Sequence, residues 1–513
     1  MPILRVLSLL SLSVALFAGA ACSPQVPTEQ AMGEQLPATQ SVASVQITDQ
    51  VDSSAMATPQ AGVSRSATLE TDLPGVPVAL QYNVILGRPT ADAITISVSA
   101  QEAMQVAILY GALAGAEESQ TAPVSLPAGS PYHFEITGLT PDTSYWYQVL
   151  SNGLPSDQHS FHTQRSPGSG FTFTIDADPH YTDPRFNSDL YSLTLSNALV
   201  DHPDFHINLG DTFMTEKIKP RTYAGAESTF AGMRPFLGIL GADVPIYLVN
   251  GNHEGELGWL LLKGQDRQFP IWSTRLRQQY FPHPVPGGFY QGSTVIDSSL
   301  GEPRDGYYSW SWGAALFVVL DPFWYTLEKP RAGEEETIWN WTLGKEQYDW
   351  LRSTLETSTA KYKFIFTHHL VGGNEEGRGG AEIAGLYEWG GRNRDGSYGF
   401  DDHRPGWGKP IHQLLVENHV SAVFHGHDHV FVKQVLDGIV YQEVPQPSNT
   451  QYKNTRLGSD YGYLDGDMSS SSGHLRVNVS PLMVTVDYVR AYLDQDQKDG
   501  RENRQVDYTY TIP

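Results

Sequence analysis

Five short stretches of the chain carry oxygen and nitrogen donors of the kind that hold divalent cations. They are Asp178-Pro179-His180, Gly210-Asp211, Asn250-Gly251-Asn252-His253-Glu254, Thr367-His368-His369 and His425-Gly426-His427-Asp428-His429. Carboxylate and amide oxygens and imidazole nitrogens serve Mn, Fe and Zn alike. Any one of these stretches alone is a weak signal. Their position makes them informative, because each follows a short apolar run that reads as a buried strand: Phe171–Ile175, Phe205–Leu209, Val244–Val249, Tyr362–Phe366 and Ala422–Phe424. In open α/β sheets, ligands gather beyond the carboxyl ends of the strands. The 33 residues from Asp178 to Asp211 and the 41 from Asp211 to Asn252 each fit one strand–helix–strand unit. Two aspartates, one asparagine and several histidines are donors enough for two ions. Side chains alternate along extended backbone, so only one of His368 and His369 is expected to ligate. By the same alternation His425 points away from its neighbours and reads as structural.

The ordered set D-x-H, G-D, G-N-H-E, H and G-H-x-H resembles the calcineurin-like metallophosphoesterases over about residues 170–490. The resemblance implies a first metal on Asp178, His180 and His429, a second on Asn252, His368 and His427, and Asp211 bridging both. It implies a phosphoester hydrolase in which a metal-bridging hydroxide attacks phosphorus in line. His253, beside a ligand, would protonate or stabilise the leaving oxygen, and Glu254 would support the ligands from behind. The resemblance favours His368 over His369 as the ligand and leaves His369 to line the substrate. The chain departs from the pattern at Leu370, where a proline is usual. It also departs from purple acid phosphatases at Met214, where they carry a tyrosine, and at His180, where they carry no histidine. A purple iron–tyrosinate centre is therefore not expected, and the two divalent ions are left open among Mn, Zn and Fe.

The elements that must position these residues read as an α/β domain over 168–490, a sandwich of mixed sheets flanked by helices. Helical stretches lie at Leu193–Asp201, Glu346–Thr357 and Ile411–Asn418, a further strand at Ala315–Leu320, a closing hairpin at about 475–490, and a polar tail over 491–513. Between Val371 and Pro410 runs a Gly-rich stretch with Arg378, Arg392, Arg394 and Arg404. It reads equally as a lid over the metals and as a surface insertion. Arg378 is the preferred phosphate contact, with Arg221 and Asn187 weaker choices.

Ahead of this domain, residues 71–167 read as all-β. Ala93–Val98 and Gln105–Tyr110 alternate apolar and polar positions, and Gly138-Leu139-Thr140-Pro141-Asp142-Thr143-Ser144-Tyr145 resembles the tyrosine corner of a fibronectin-III-like sandwich. Its placement is similar to that of the N-terminal domain of purple acid phosphatases, and it reads as a packing module more than a recognition platform. Residues 1–21 read as a signal peptide, with Arg5 ahead of an apolar run that is short for a membrane span. The only cysteine, Cys22, follows four small residues and resembles a lipoprotein acylation site, with Ser23 matching outer-membrane sorting. Residues 22–70 then form a polar tether. The expected location is periplasmic or cell-surface.

Composition bounds the rest. With 57 Asp+Glu against 33 Lys+Arg the formal charge is −24, which excludes a broad basic grip on nucleic acid. A single cysteine excludes a disulfide within the chain. The expected substrate is a phosphate monoester or diester. The alternatives are a nucleotide or phospholipid phosphodiesterase and, more remotely, a non-catalytic binding lipoprotein. The oligomeric state is left open.

Overall fold

The apolar strands pair into two sheets that face each other. In the first, Ile246–Leu248, Phe205–Asn208 and Phe171–Asp176 run parallel, followed by Gly473–Val479, Val484–Arg490 and Val506–Ile512 in antiparallel order. In the second, Tyr308–Trp312, Ala315–Val319, Tyr362–Phe366, Ala422–His425 and Ile439–Glu443 lie side by side, the last four of them parallel. Period-2 alternation decides what meets between them. Phe171, Phe173 and Ile175 point inward, while Thr172, Thr174 and Asp176 face the other way. Phe173 and Phe205 meet Phe317 of the opposite sheet edge-on at 5.2 and 5.1 Å between ring centroids.

Helices cover the outer faces. Ser188–Val200, Tyr223–Gly241 and Phe269–Tyr280 supply Tyr191, Leu195, Phe230, Leu237 and Leu276 to one continuous apolar core, and Gly344–Thr357 and Ile411–Glu417 add Leu351 and Leu414. The computed structural model of the protein describes residues 81–512 except 116, 332 and 374. The expected signal peptide, Cys22 and the tether lie outside the described residues. Among those described, no helix is long and apolar enough to cross a membrane.

Between Tyr82 and His162 the described residues form nine strands and no helix. Tyr82–Gly87, Ala93–Ala100 and Pro131–Thr137 make one sheet, and a second is built on Met104–Ala112 and Ser144–Ser151. The alternating Ile94, Ile96 and Val98 meet Val106, Ile108 and Val149 in a core of their own. At the corner, the Tyr145 hydroxyl accepts from the Thr140 N–H at 2.8 Å.

This β-rich segment is bolted to the α/β part. Arg234, 1% exposed in the middle of Tyr223–Gly241, donates to Asn83 Oδ1 at 2.8 Å, to both oxygens of Ser97 and to the Tyr280 carbonyl. Burial without a carboxylate beside it pushes its guanidinium down to about 9, which still leaves it charged at neutral pH. His159 and the Ser160 N–H both reach Asp243 at 3.0 Å, and Arg165 grips Asp204 with two nitrogens at 2.7 and 2.8 Å.

Two sequence expectations need correction. The stretch after 490 is not a polar tail, because Val506–Ile512 adds an edge strand to the first sheet, with Val486 opposite Tyr510. Its alternate residues Tyr508, Tyr510 and Ile512 turn inward, and Tyr508 lies against Phe431 at 5.5 Å. Nor is 371–410 a free surface loop. Trp389 and Phe400 are fully buried, Arg404 pairs with buried Glu388 and donates to the Trp339 and Trp341 carbonyls, and the Trp389 Nε1–H donates to the Tyr441 hydroxyl. The large aromatics drive this segment onto the body. Residues 376–379 reach the donor-bearing loops, through His427 and Asp428.

Candidate metal centre

The five donor stretches converge at one end of the two sheets. Asp178 and His180 follow Phe171–Asp176, and Asp211 follows Phe205–Asn208. Asn252 and His253 follow Ile246–Leu248, His368 follows Tyr362–Phe366, and His427 and His429 follow Ala422–His425. The backbone turns sharply at these points: Asp178, His180, Asp211, His427 and His429 all have left-handed φ between 50° and 79°. Such conformations cost non-glycine residues about 1–3 kcal/mol each. They are held by cross-loop bonds, from Asp178 N–H to the Gly210 carbonyl and His180 N–H to the Asp211 carbonyl, each 3.0 Å, and from Ser471 Oγ–H to the His429 carbonyl at 2.8 Å.

Asp211 is the hub. Its Oδ1 accepts from the His253 N–H at 2.8 Å, and its Oδ2 lies 3.2 Å from His368 Nε2, 3.4 Å from His180 Nε2 and 3.7 Å from His253 Nε2. Asp178 is arranged likewise. Its Oδ2 accepts from the His427 N–H at 2.8 Å, and its Oδ1 faces His180 and His429, each at 3.4 Å. Three donor groups result: Asp178, His180 and His429; Asp211, His368 and His427; and His180, Asp211 and His253. Within each group the atoms lie no more than 4.8 Å apart.

The electrostatics of the centre call for positive charge. Burial opposes a charge on His368 and His180, yet the Asp211 and Asp178 carboxylates outweigh it and push them up to about 10 and about 9. Burial, with Arg378 and His368 nearby, instead pushes His427 down. Several buried donors have no hydrogen-bond partner: Asp178 Oδ1, His180 Nε2 and Asn252 Oδ1. His427 Nδ1 and His368 Nε2 face each other at 3.2 Å. His368 Nδ1 lies 3.0 Å from the Leu209 carbonyl and His427 Nε2 lies 3.0 Å from the Glu376 carbonyl, so the facing nitrogens are the ones turned away from the backbone, and a cation can take the place of the proton that the carboxylates hold on His368. Unpartnered oxygens and imidazole nitrogens gathered in one buried space are what divalent cations satisfy, so the donor set fits them.

The remaining sequence candidates fall outside the cluster. His369 is boxed by Trp341 and Phe323, with ring centroids at 4.6 and 5.0 Å, beside His427 at 5.4 Å. Its Nδ1 is turned to the Leu370 carbonyl, and burial pushes it down to about 3. Its side chain is buried beside His427. Arg378 is held by its own surroundings: Nη1 donates to the His427 carbonyl at 2.6 Å and to Asp428 Oδ1 at 3.1 Å, and its guanidinium stacks on Tyr461 at 4.2 Å. The Asp428 charge captures it as a brace for the His427–His429 turn. Asn187 caps the helix Ser188–Val200 through the Leu190 N–H. Arg221 donates to the Glu216 carbonyl and pairs with Asp266.

Glu254 accepts from the Asp211 and Thr212 N–H groups at 3.1 and 2.6 Å and from the Gly251 N–H at 2.5 Å, tying two of the donor-bearing loops together. Glu216 was not singled out in the sequence. Its carboxylate lies 2.8 Å from His253 Nδ1, and its N–H donates to the His253 carbonyl at 3.1 Å. Burial disfavours its charge, but His253 and Lys217 hold it down at about 2.

A strand-end cluster of carboxylates, amide and imidazoles on a two-sheet α/β sandwich is a candidate metal centre. The chain belongs to the calcineurin-like phosphoesterase family, whose model matches residues 171–431. It is a metal-dependent phosphoesterase of a family that implies two divalent ions. In fold it is similar to a solved structure of PhoD, with TM-score 0.63 and 16% identity over 84% of this chain and 89% of that one. It is also similar to the purple acid phosphatase PPD1 from yellow lupin (Lupinus luteus) seeds, with TM-score 0.55 and 15% identity over 84% and 73%. None of the curated proteins matches the chain.

Proposed function

We propose that the chain hydrolyses phosphate monoesters or diesters with two divalent cations, one held by Asp178, His180 and His429, the other by Asn252, His368 and His427, with Asp211 between them. The observation that carries this reading is the Asp211 carboxylate, whose Oδ2 is shared by His180, His368 and His253 within 3.7 Å. When bound, such a pair of cations neutralises charge on the phosphoryl group and lowers the pKa of a water. The protein's own groups do the rest. His253 is fixed by Glu216 through Nδ1, so that Nε2 faces the centre and can give a proton to the departing oxygen. Arg378 and Asp428 hold the turn that carries His427 and His429.

Export and acylation at Cys22 remain part of this reading, on the strength of the sequence alone. So does a fibronectin-III-like identity for the β-rich segment, supported by its two sheets and the Tyr145 corner.

The test is turnover of an aryl phosphate monoester and a bis-aryl diester by the full chain. At least one is expected to be hydrolysed, and a chelator is expected to abolish it. Failure on both in the presence of Mn, Zn or Fe counts against the assignment.

A further inference from the structure

Five of the core strands end in donors, whereas Ala315–Val319 ends in Asp321, which faces elsewhere. Asp321 is 1% exposed. Its Oδ1 accepts from the Phe323 N–H at 2.9 Å, and its Oδ2 accepts from Arg304 Nη2 at 2.9 Å and Asn250 Nδ2 at 3.3 Å. Arg304 also reaches Glu256 at 3.1 Å and stacks over Trp324 at 3.9 Å. Glu256 takes two bonds from Arg277, at 2.6 and 3.1 Å, and Arg277 pairs with Asp305 at 2.8 Å. Three carboxylates and two guanidiniums are thus buried together, none more than 5% exposed.

Burying five charges is a poor way to gain stability, since apolar residues of equal volume serve as well or better. Their geometry points to a different use. The network touches the donor loops through Asn250, 2% exposed and two residues before Asn252. The junction is tight: a Cβ on Gly306 would lie 2.4 Å from Asp321 Oδ2, 2.6 Å from Arg304 Nη2 and 3.1 Å from Asn250 Nδ2. At its other end, the Glu254 carboxylate accepts from the Asp211 and Thr212 N–H groups at 3.1 and 2.6 Å. The turn 250–254 is therefore pinned at both ends, with the Asn252 amide between the pins.

We propose that this buried charge network is the frame that orients the Asn250–Glu254 turn, and that Asn250 is a positioning residue setting the Asn252 amide for a divalent cation. The inference rests on the reading of Asn252 as a metal ligand.

The test is a calorimetric titration of chelator-stripped full-length protein with Mn2+, with the thermal midpoint of the stripped protein measured in parallel. Wild type is expected to bind in two phases, and Asn252→Ala is expected to lose one of them. Asn250→Ser cuts only the bond to Asp321. It is expected to weaken that same phase by about 10–100-fold, leaving the other phase and the stripped protein's midpoint unchanged. Two unchanged phases, equal weakening of both, or an unfolded Asn250→Ser protein would overturn the inference. Fewer than two phases in wild type would instead overturn the two-ion reading beneath it.

Discussion

Asp211→Asn is expected to lose at least about 10³-fold in phosphoester turnover and to retain clearly fewer than two metal ions per chain. The substitution keeps the size of the side chain and one oxygen, so the loss is one of charge and of a second acceptor. Both matter at this position. Oδ1 is already committed to the His253 N–H, and Oδ2 is the atom around which His180, His368 and His253 are grouped. An amide nitrogen placed there would point a donor at the place a cation must occupy. The check is metal analysis and steady-state rates on the same preparation. Normal turnover with both ions retained would remove Asp211 from the centre of the account.

His253→Ala is expected to behave differently. Metal content should stay at the wild-type value while turnover falls by about 10²–10⁴-fold, the usual range for losing a general acid. The deficit should grow as the leaving group becomes poorer, because a poor leaving group depends more on receiving a proton. Glu216→Ala should show the same dependence with a smaller loss, about tenfold, and Glu216→Gln should recover part of it by keeping an oxygen near Nδ1. A merely structural role for Glu216 would lower activity equally for all leaving groups. Loss of metal in His253→Ala would mean that the group His180, Asp211 and His253 is itself a cation site.

The donor stretches were legible in the sequence because they combine chemically distinctive residues with strands that announce themselves by buried apolar runs. Asp178, Asp211, His368 and His427 can therefore be picked out as candidate donors from the sequence, and the fold brings them together. Glu216 did not, because its partner His253 lies 37 residues away and a lone glutamate in a turn carries no local signal. The helix Tyr223–Gly241 was hidden by four glycines and Pro235, which lower helix propensity along its whole length. Packing explains at least one of them. A Cβ on Gly232 would lie 2.3 Å from the Tyr181 hydroxyl, so the glycine lets the helix close on the loop that carries His180. The strand Val506–Ile512 looks like a polar tail in the sequence because its outward positions are polar, and pairing with Val484–Arg490 reveals its inward face. Asp321 and Arg304 were invisible for the same reason as Glu216, since ion pairs between distant loops leave no spacing to read.

The most direct test of the two-ion phosphoesterase is reconstitution. Full-length protein is stripped with a chelator, metal is returned in measured equivalents, and hydrolysis of an aryl phosphate ester is followed at each step. Activity is expected to be absent in the stripped protein and to rise until two equivalents are bound. Full turnover without metal, or a plateau at one equivalent, would contradict the account.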